Sequence, residues 1–239
     1  MQTIDLGPGE ARSLFADIGP DRRFWAAVRG ARALSRLSSV VEMPDCIVLP
    51  TDRPAIIVAN HSSLFDLIAA LVVLGNFGIP ARIGVNARFF SNPASGAFLN
   101  GIGCIPFEKG KGDGAEGAMI DALSSGQSTA LMPEGRITRR EDQEKGVGPG
   151  RPGVSRIARK SGAAVVPVGF AFADETWSPG TPLPKARLGK HKVIASIGPP
   201  IEFTNDDHIA NAGIVMDAIG DLVMHGRETG QARGPKDLH

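Results

Sequence analysis

The chain has 239 residues, of which 42% are hydrophobic and 21% charged, a composition typical of a globular protein with one sizeable domain. Its formal charge of +1 excludes a general electrostatic attraction to nucleic acid, so we expect no nucleic-acid partner. The two cysteines, Cys46 and Cys104, form no Cys-x-x-Cys motif and are too few for a disulfide framework, which favours a reducing cytoplasm.

The first 41 residues divide into a leader and a helix. Residues 1 to 20 are rich in Gly, Pro and acidic residues, which predicts a loose leader without the features of a signal peptide. From residue 21 to residue 41, apolar side chains recur every three or four positions and arginines occupy another face. The apolar series is Phe24, Val28, Ala31, Leu34 or Leu37, and Val41, and the basic series is Arg29, Arg32 and Arg36. This basic amphipathic helix either packs on the domain or lies on an anionic membrane surface with Phe24 and Trp25 inserted.

From Cys46 onward, short apolar runs alternate with helical segments. The runs are near-continuously apolar, as in strands covered by helices on both faces. The predicted strands are 46–50, 55–59, 81–85, 103–107, 128–132, 164–170 and 192–198, and the main predicted helices are 63–77, 113–125, 152–162 and 205–226. We therefore predict a single α/β domain over residues 42–227, built on a mostly parallel, helix-flanked sheet of about seven strands, with a polar tail over residues 228–239. No apolar run reaches the roughly 18 to 20 residues that a membrane span needs.

The segment "AIIVANHSSLFD" places a polar cluster at the end of a buried strand. His61 follows the strand directly, and either Ser62 or Ser63 is suited to cap the next helix. Asp66 lies in the first turn of that helix, where its carboxylate can turn back to the imidazole and fix its tautomer. The segment therefore contains the parts of a His-Asp dyad, although a structural cap is an equally good interpretation of these residues alone.

No Gly-x-Ser-x-Gly elbow occurs in the chain, which argues against a Ser-His-Asp hydrolase. If the dyad is catalytic, the nucleophile is then a hydroxyl on the substrate. The other histidines are scattered without ligand spacing, so we expect no metal site.

A second polar cluster follows the strand in "TALMPEGRITRR". Glu134 and Gly135 come directly after the apolar run, and Arg136 is the first of three arginines. Guanidinium groups beside a carboxylate at a strand end suit an anionic headgroup, because the arginine fork matches phosphate geometry. Arg140 is instead expected to be a solvated charge, since it is followed by two acids.

Four blocks together resemble the glycerophospholipid acyltransferase family, whose best-known members acylate 1-acylglycerol 3-phosphate. "NHSSLFD" is similar to the His-four-residues-Asp motif and "MPEGRIT" to the Pro-Glu-Gly block. "GIGCIPFEKG" resembles the block that ends in a basic residue, and "GAAVVPVGF" resembles the late Val-Pro-Val strand. The blocks follow the family order and cover roughly residues 50 to 200.

The resemblance implies a role for each matching residue. His61 is the general base that takes the proton of the acceptor hydroxyl as it attacks an acyl thioester, and Asp66 orients it. The implied substrate-binding residues are Lys109, Glu134, Gly135, Arg136 and Thr138, with Gly135 allowing close backbone approach.

Two positions depart from the commoner pattern of the family, and both bear on the identity of the acceptor substrate. The commoner third block has Arg two residues after Gly, where this chain has Ile137, and the "EGRIT" variant resembles enzymes that re-acylate lysophosphatidylethanolamine. Lys109 stands where Arg is frequent, and lysine cannot grip phosphate as a bidentate fork.

The expected activity is therefore O-acyl transfer in phospholipid biosynthesis, from acyl-CoA or acyl carrier protein to a lysophospholipid, without a cofactor. The expected location is the cytoplasm, peripheral on the inner face of the cell membrane, with an anionic membrane surface as partner. Two alternatives stay open: another acceptor, whether lysophosphatidylethanolamine or a different lipid or natural product, and a non-catalytic lipid-binding α/β domain.

Overall fold

The computed structural model describes residues 1–13, 22–108, 112–178, 181 and 191–232. Its strands are β1 (Thr3–Leu6), β2 (Ser39–Glu42), β3 (Ile47–Pro50), β4 (Ala55–Ala59), β5 (Ala81–Asn86), β6 (Ile105–Phe107), β7 (Ser128–Leu131), β8 (Ala164–Ala171) and β9 (His191–Ile197). Its helices are α1 (Arg22–Ser38), α2 (Phe65–Phe77), α3 (Pro93–Gly101), α4 (Gly112–Ser124), α5 (Gly153–Ser161), α6 (Ala173–Thr176) and α7 (His208–Ala232). Short 3₁₀ turns occupy Glu10–Ser13, Ala87–Phe90 and Arg140–Asp142.

Seven strands form the main sheet, in the order β2-β9-β8-β4-β7-β5-β6. Neighbouring strands of this sheet run parallel except β8 and β9, which are antiparallel. The prediction of an α/β fold with a mostly parallel sheet of about seven strands is therefore confirmed. The central strand is β4, which ends at Ala59, two residues before His61.

One of the seven predicted strands was assigned to the wrong sheet. The strand at 46–50 is β3, which pairs antiparallel with β1 in a separate two-stranded sheet. The residues predicted as a loose leader therefore include an ordered strand, which is anchored by the burial of Leu6. The seventh strand of the main sheet is β2, predicted as the end of the first helix. Its Val40 and Val41 are β-branched, which favours extended backbone over helix.

At the other end of the chain, α7 continues to Ala232 and so passes residue 228, where the polar tail was predicted to begin. Residues 233–239 lie outside the described part of the chain.

The sheet separates two apolar clusters, and the side chains of β4 contribute to both. Ala55, Ile57 and Ala59 belong to a cluster that includes residues of α1 and α2. Ile56 and Val58 belong to a cluster with residues of α4, α5 and α7. Because successive strand side chains point to opposite faces, a strand covered on both sides must be apolar throughout. This explains why "AIIVA" shows no polar alternation.

Helix α1 packs against α2 through its apolar stripe. Phe24 and Val28 are buried there, and a Cβ added at Gly75 of α2 would collide with Val28. Phe24 is therefore a core residue, and the interpretation in which its ring inserts into a membrane was wrong. The opposite face of α1 exposes Leu34 and Leu37.

Among the described helices, none is both long enough and apolar enough to cross a membrane.

Candidate active site

Three parallel strands bring the polar clusters together. β4 pairs with β7 on one side and with β8 on the other, so their carboxyl ends meet at one edge of the sheet. Asn60 continues the pairing with β8 through its side chain. Its Nδ2 donates to the Phe170 carbonyl at 3.0 Å and its Oδ1 accepts from the Phe170 N–H at 2.7 Å. This buried amide fixes where the chain leaves β4 and thus where His61 lies.

His61 and Asp66 form the predicted dyad. The Nδ1 atom of His61 lies 3.0 Å from Oδ2 of Asp66, with the imidazole 22% exposed and the carboxyl fully buried. The same Oδ2 accepts the backbone N–H groups of Ser62 at 2.7 Å and Ser63 at 2.8 Å. Burial raises the pKa of Asp66, while the contact with His61 and the two N–H donors favour its charged form. A charged Asp66 requires Nδ1 to carry the proton, which leaves Nε2 as the base.

Neither serine of the segment is placed to act as a nucleophile. Ser62 and Ser63 are both buried. The Ser63 hydroxyl donates to the Trp177 carbonyl at 2.7 Å and accepts from the Phe65 N–H at 3.0 Å at the start of α2. The N-cap residue of α2 is Leu64, which makes no side-chain cap, so the prediction that Ser62 or Ser63 occupies this position was wrong, although Ser63 satisfies the first N–H of the helix.

Glu134 and Thr138 hold the backbone of His61. The Glu134 carboxylate accepts the His61 N–H at 2.7 Å and also the Thr138 hydroxyl. The Thr138 backbone N–H donates in turn to the His61 carbonyl at 2.8 Å. Glu134 is only 3% exposed, and burial raises its pKa although both hydrogen bonds favour the charge. These contacts position the backbone of His61. The role of His61 as a base, and a direct contact of Glu134 or Thr138 with substrate, stay predictions.

Replacing Glu134 with Gln is expected to preserve most of the activity, because the amide keeps an oxygen for His61 and can still hydrogen-bond Thr138. Replacing it with Ala leaves two buried polar groups unsatisfied, at a cost of about 1–3 kcal/mol each. Urea unfolding and steady-state turnover of both variants measure these effects. A large loss of turnover in the Gln variant at unchanged stability would assign the charge of Glu134 to substrate binding instead.

Gly135 turns the chain between Glu134 and Arg136. Its φ of +66° lies in the left-handed region that favours glycine. A Cβ at this position would also lie 2.8 Å from Nε of Arg151. Gly135 was predicted to allow close approach of the backbone to the substrate. In the structure, the group that lies close to Gly135 is the side chain of Arg151.

A cavity of about 700 Å³ lies beside the dyad, within the size range of small-molecule and lipid sites. His61 lines it together with Arg136, so the two polar clusters border the same space. Most of its wall is apolar, including Leu67, Phe89 and Phe98. A cavity with this lining can accept a hydrocarbon chain while it presents a base and a cation to the polar part of the same ligand.

Four charged residues of this cavity, one of them Glu108, were missed by sequence reasoning. Arg151 and Arg156 line it, as does Glu116 of α4, whose carboxylate is held by the Arg156 guanidinium at two points. Arg151 lies in "GPGRPG", which was interpreted only as a loop at a strand end. Lys109, the predicted basic residue of the second block, lies outside the described residues.

The comparisons with known proteins agree with this geometry. The family described as Acyltransferase matches residues 41–171, more than half of the chain. The chain therefore belongs to the acyltransferase family, and the resemblance of its four sequence blocks is confirmed at this level.

One curated relative is the chloroplastic 1-acyl-sn-glycerol-3-phosphate acyltransferase LPAT1 of Arabidopsis thaliana. It is 30% identical over 164 residues, which are 67% of this chain and 43% of that protein. The chain thus spans less than half the length of this relative.

A solved structure shares the fold. The crystal structure of the 1-acyl-sn-glycerophosphate acyltransferase PlsC from Thermotoga maritima aligns with a TM-score of 0.59 at 24% identity. The alignment covers 88% of this chain and 80% of that one.

Proposed function

We propose that this protein transfers a fatty acyl group from a thioester to the free hydroxyl of a lysophospholipid such as 1-acylglycerol 3-phosphate, in phospholipid biosynthesis. The donor is acyl-CoA or acyl carrier protein. The observation that carries the proposal is the shared cavity, in which a carboxylate-supported histidine and three arginines line a largely apolar space. Membership of the acyltransferase family supports the same reaction.

The reaction follows from the dyad geometry. Nε2 of His61 takes the proton of the acceptor hydroxyl as its oxygen attacks the thioester carbonyl carbon. The C–O bond forms, the C–S bond breaks, and the leaving thiolate receives the proton from the imidazolium. Asp66 stabilises the imidazolium, because its buried, charged Oδ2 accepts the hydrogen bond that Nδ1–H donates. No acyl-enzyme is required, since both serines near the base are buried.

The cavity contributes by holding both substrates in reacting distance. Well-oriented reactants gain up to about 7–11 kcal/mol relative to free encounter, and a general base adds about 10²–10⁴-fold. The apolar wall would hold acyl chains, and Arg136 would hold an anionic headgroup. Lys109 remains a proposed headgroup ligand by its family position.

Release of free thiol from an acyl thioester tests the proposal. With acyl-CoA alone the release should be slow, and a lysophospholipid acceptor should raise it severalfold. Equal release with and without acceptor would indicate a thioesterase. No release with any donor and any acceptor, despite measurable lipid binding, would leave the non-catalytic lipid-binding alternative.

The outer face of α1 supports a further proposal, peripheral attachment to an anionic membrane. Arg29 and Arg36 are exposed there beside Leu37, which is 57% exposed. Cationic side chains flanking exposed apolar ones suit the headgroup region of a bilayer. Attachment through this face would leave the apolar stripe packed on α2.

Replacing Arg36 with Glu is expected to reduce flotation with vesicles that contain anionic lipids, because each basic residue near such a surface contributes about 1 kcal/mol and the variant adds repulsion. Lys160→Glu is the matched control, since Lys160 is an exposed cation on α5 and the change in charge is the same. Equal flotation of wild type and both variants would reject this face as the attachment site. Deleting residues 1–41 is a poorer test, because it removes core residues such as Phe24 and Val28.

A further inference from the structure

Some arginines around the carboxyl edge of the sheet are neutralised by carboxylates. The pairs are Arg140 with Asp174 and Glu175, and Arg156 with Glu116. Arg140, which was predicted to be a solvated surface charge, is exposed and forms these surface ion pairs. Arg136 and Arg151, by contrast, form no ion pair with any residue in the described part of the chain. Both of them line the cavity beside His61.

Arg151 is held in place without losing its charge. Its Nε donates to the Glu134 carbonyl at 3.2 Å, and its backbone N–H donates to the Pro133 carbonyl at 2.9 Å. The guanidinium lies over Gly135, where a Cβ would approach Nε to 2.8 Å. Because Gly135 and Arg136 are adjacent in the chain, the two guanidinium-bearing residues flank a single turn. The Nη atoms of Arg151 have no acceptor among the described residues and are available to a ligand.

A positive helix end also borders this side of the cavity. The N-terminal turn of α5 lines the cavity with Gly153 and Val154, which follow Arg151 closely in sequence, and a helix N-terminus carries a partial positive charge. Two carboxylates line the cavity as well: Glu116, which is paired with Arg156, and Glu108. Arg136 and Arg151 line the same cavity without an ion-pair partner in the described part of the chain, and their guanidinium groups suit the charge and geometry of a phosphate ester.

We propose that Arg151 is a phosphate-binding residue of this site, which together with Arg136 holds a phosphate ester of one of the two substrates. The proposal rests on the proposed acyl transfer for the identity of those substrates. The phosphate belongs either to the lysophospholipid headgroup or to the CoA or pantetheine part of the donor, and the chemistry of recognition is the same.

The variants Arg151→Gln and Arg151→Lys test the proposal with two acceptors, 1-acylglycerol 3-phosphate and monoacylglycerol. For a headgroup phosphate, the KM for 1-acylglycerol 3-phosphate should rise about 10-fold or more in the Gln variant, as expected for the loss of charge-assisted hydrogen bonds. The KM for monoacylglycerol, which has no phosphate, should change little. Lys should restore part of the affinity, because it keeps the charge but not the fork.

A donor phosphate gives a different pattern. The KM for acyl-CoA should then rise with both acceptors, whereas the KM for an acyl-N-acetylcysteamine thioester, which has no phosphate, should stay unchanged. The matched control is Arg139→Gln, because Arg139 is in the same loop, is 73% exposed and does not line the cavity. Its kinetic constants should equal those of the wild type for every substrate pair.

Calorimetric binding of a short-chain 1-acylglycerol 3-phosphate, and separately of CoA, makes the test independent of turnover. If the wild type transfers no acyl group but Arg151→Gln still weakens binding of either phosphate ligand, the proposed activity fails and the role of Arg151 stands. The role is overturned if Arg151→Gln leaves both affinities unchanged. It is also overturned if kcat falls equally for substrates with and without phosphate, since Arg151 would then act only through its contact with Glu134.

Discussion

Replacing His61 with Ala is expected to lower kcat for acyl transfer by about 10²–10⁴-fold, the usual contribution of a general base. The expectation rests on the position of the imidazole, which lines the cavity while Asp66 holds its Nδ1. The KM values should change less, because binding depends on the apolar wall and the arginines. Steady-state kinetics with a lysophospholipid and an acyl thioester measure both constants.

Loss of the imidazole also leaves the buried Asp66 carboxylate with fewer hydrogen-bond donors, so folding must be measured with activity. His61→Gln is a second variant that supplies an amide but no base, and it should be as inactive as the Ala variant. His225→Ala is the control, because His225 is exposed on α7 and does not line the cavity. Wild-type turnover in a folded His61→Ala protein would contradict the assigned role.

Replacing Asp66 with Asn is expected to lower kcat by about 10²–10⁴-fold while the chain stays folded. His61 and the N–H groups of Ser62 and Ser63 all contact Oδ2, so the amide oxygen of the variant must occupy that position to keep the three contacts. Nδ1 then keeps its proton, but the variant has no negative charge to stabilise the imidazolium that forms when Nε2 takes the proton of the acceptor. If the amide nitrogen occupies the position instead, the N–H groups of Ser62 and Ser63 lose their acceptor.

The difference in stability between the Asp66→Asn variant and the wild type should depend on pH. Burial raises the pKa of Asp66 in the folded protein above its value in the unfolded chain. Such a group contributes stability below the unfolded pKa, and this contribution is lost as the pH rises through the folded pKa. Asn does not titrate, so the variant should gain stability relative to wild type as the pH rises through that window.

Urea unfolding at a series of pH values from acid to neutral measures this difference, with turnover measured on the same samples. A stability difference independent of pH would show that Asp66 does not titrate differently in the two states. Unimpaired turnover of the Asn variant would contradict a role for the negative charge of Asp66.

Patterns of burial made most of the fold predictable from the sequence. A strand such as β4, covered on both faces, is apolar at each position, and the helices and strands around it begin and end within a few residues of the predicted bounds. The errors fell where local and tertiary preferences compete. Val40 and Val41 continue the helical spacing of α1 but form an edge strand, because β9 offers a parallel partner at that point. No local signal could show that β3 pairs with β1, about forty residues earlier in the chain.

The dyad was predictable for a different reason. Only four residues separate His61 from Asp66, so a single turn brings the two side chains together without any knowledge of the fold. The role of Glu134 could not be predicted in this way. Its sequence neighbours include three arginines, which suggest a ligand site, yet its carboxylate contacts a backbone N–H contributed by another strand end. That contact depends on β4 and β7 being adjacent, which only the sheet order decides. Arg151 could not be predicted either, because it lies at the far end of a glycine-rich loop and only the fold brings it to the site.

Mass spectrometry of the products formed by the wild-type protein from a mixed lysolipid pool and several acyl thioesters is the most direct measurement. We expect a lipid whose mass equals that of one lysolipid plus one acyl group, formed with an equivalent of free thiol and absent with His61→Ala. Appearance of free fatty acid in place of an acylated lipid, or an acylated lipid formed equally well by the His61→Ala protein, would contradict base-catalysed transfer at this site.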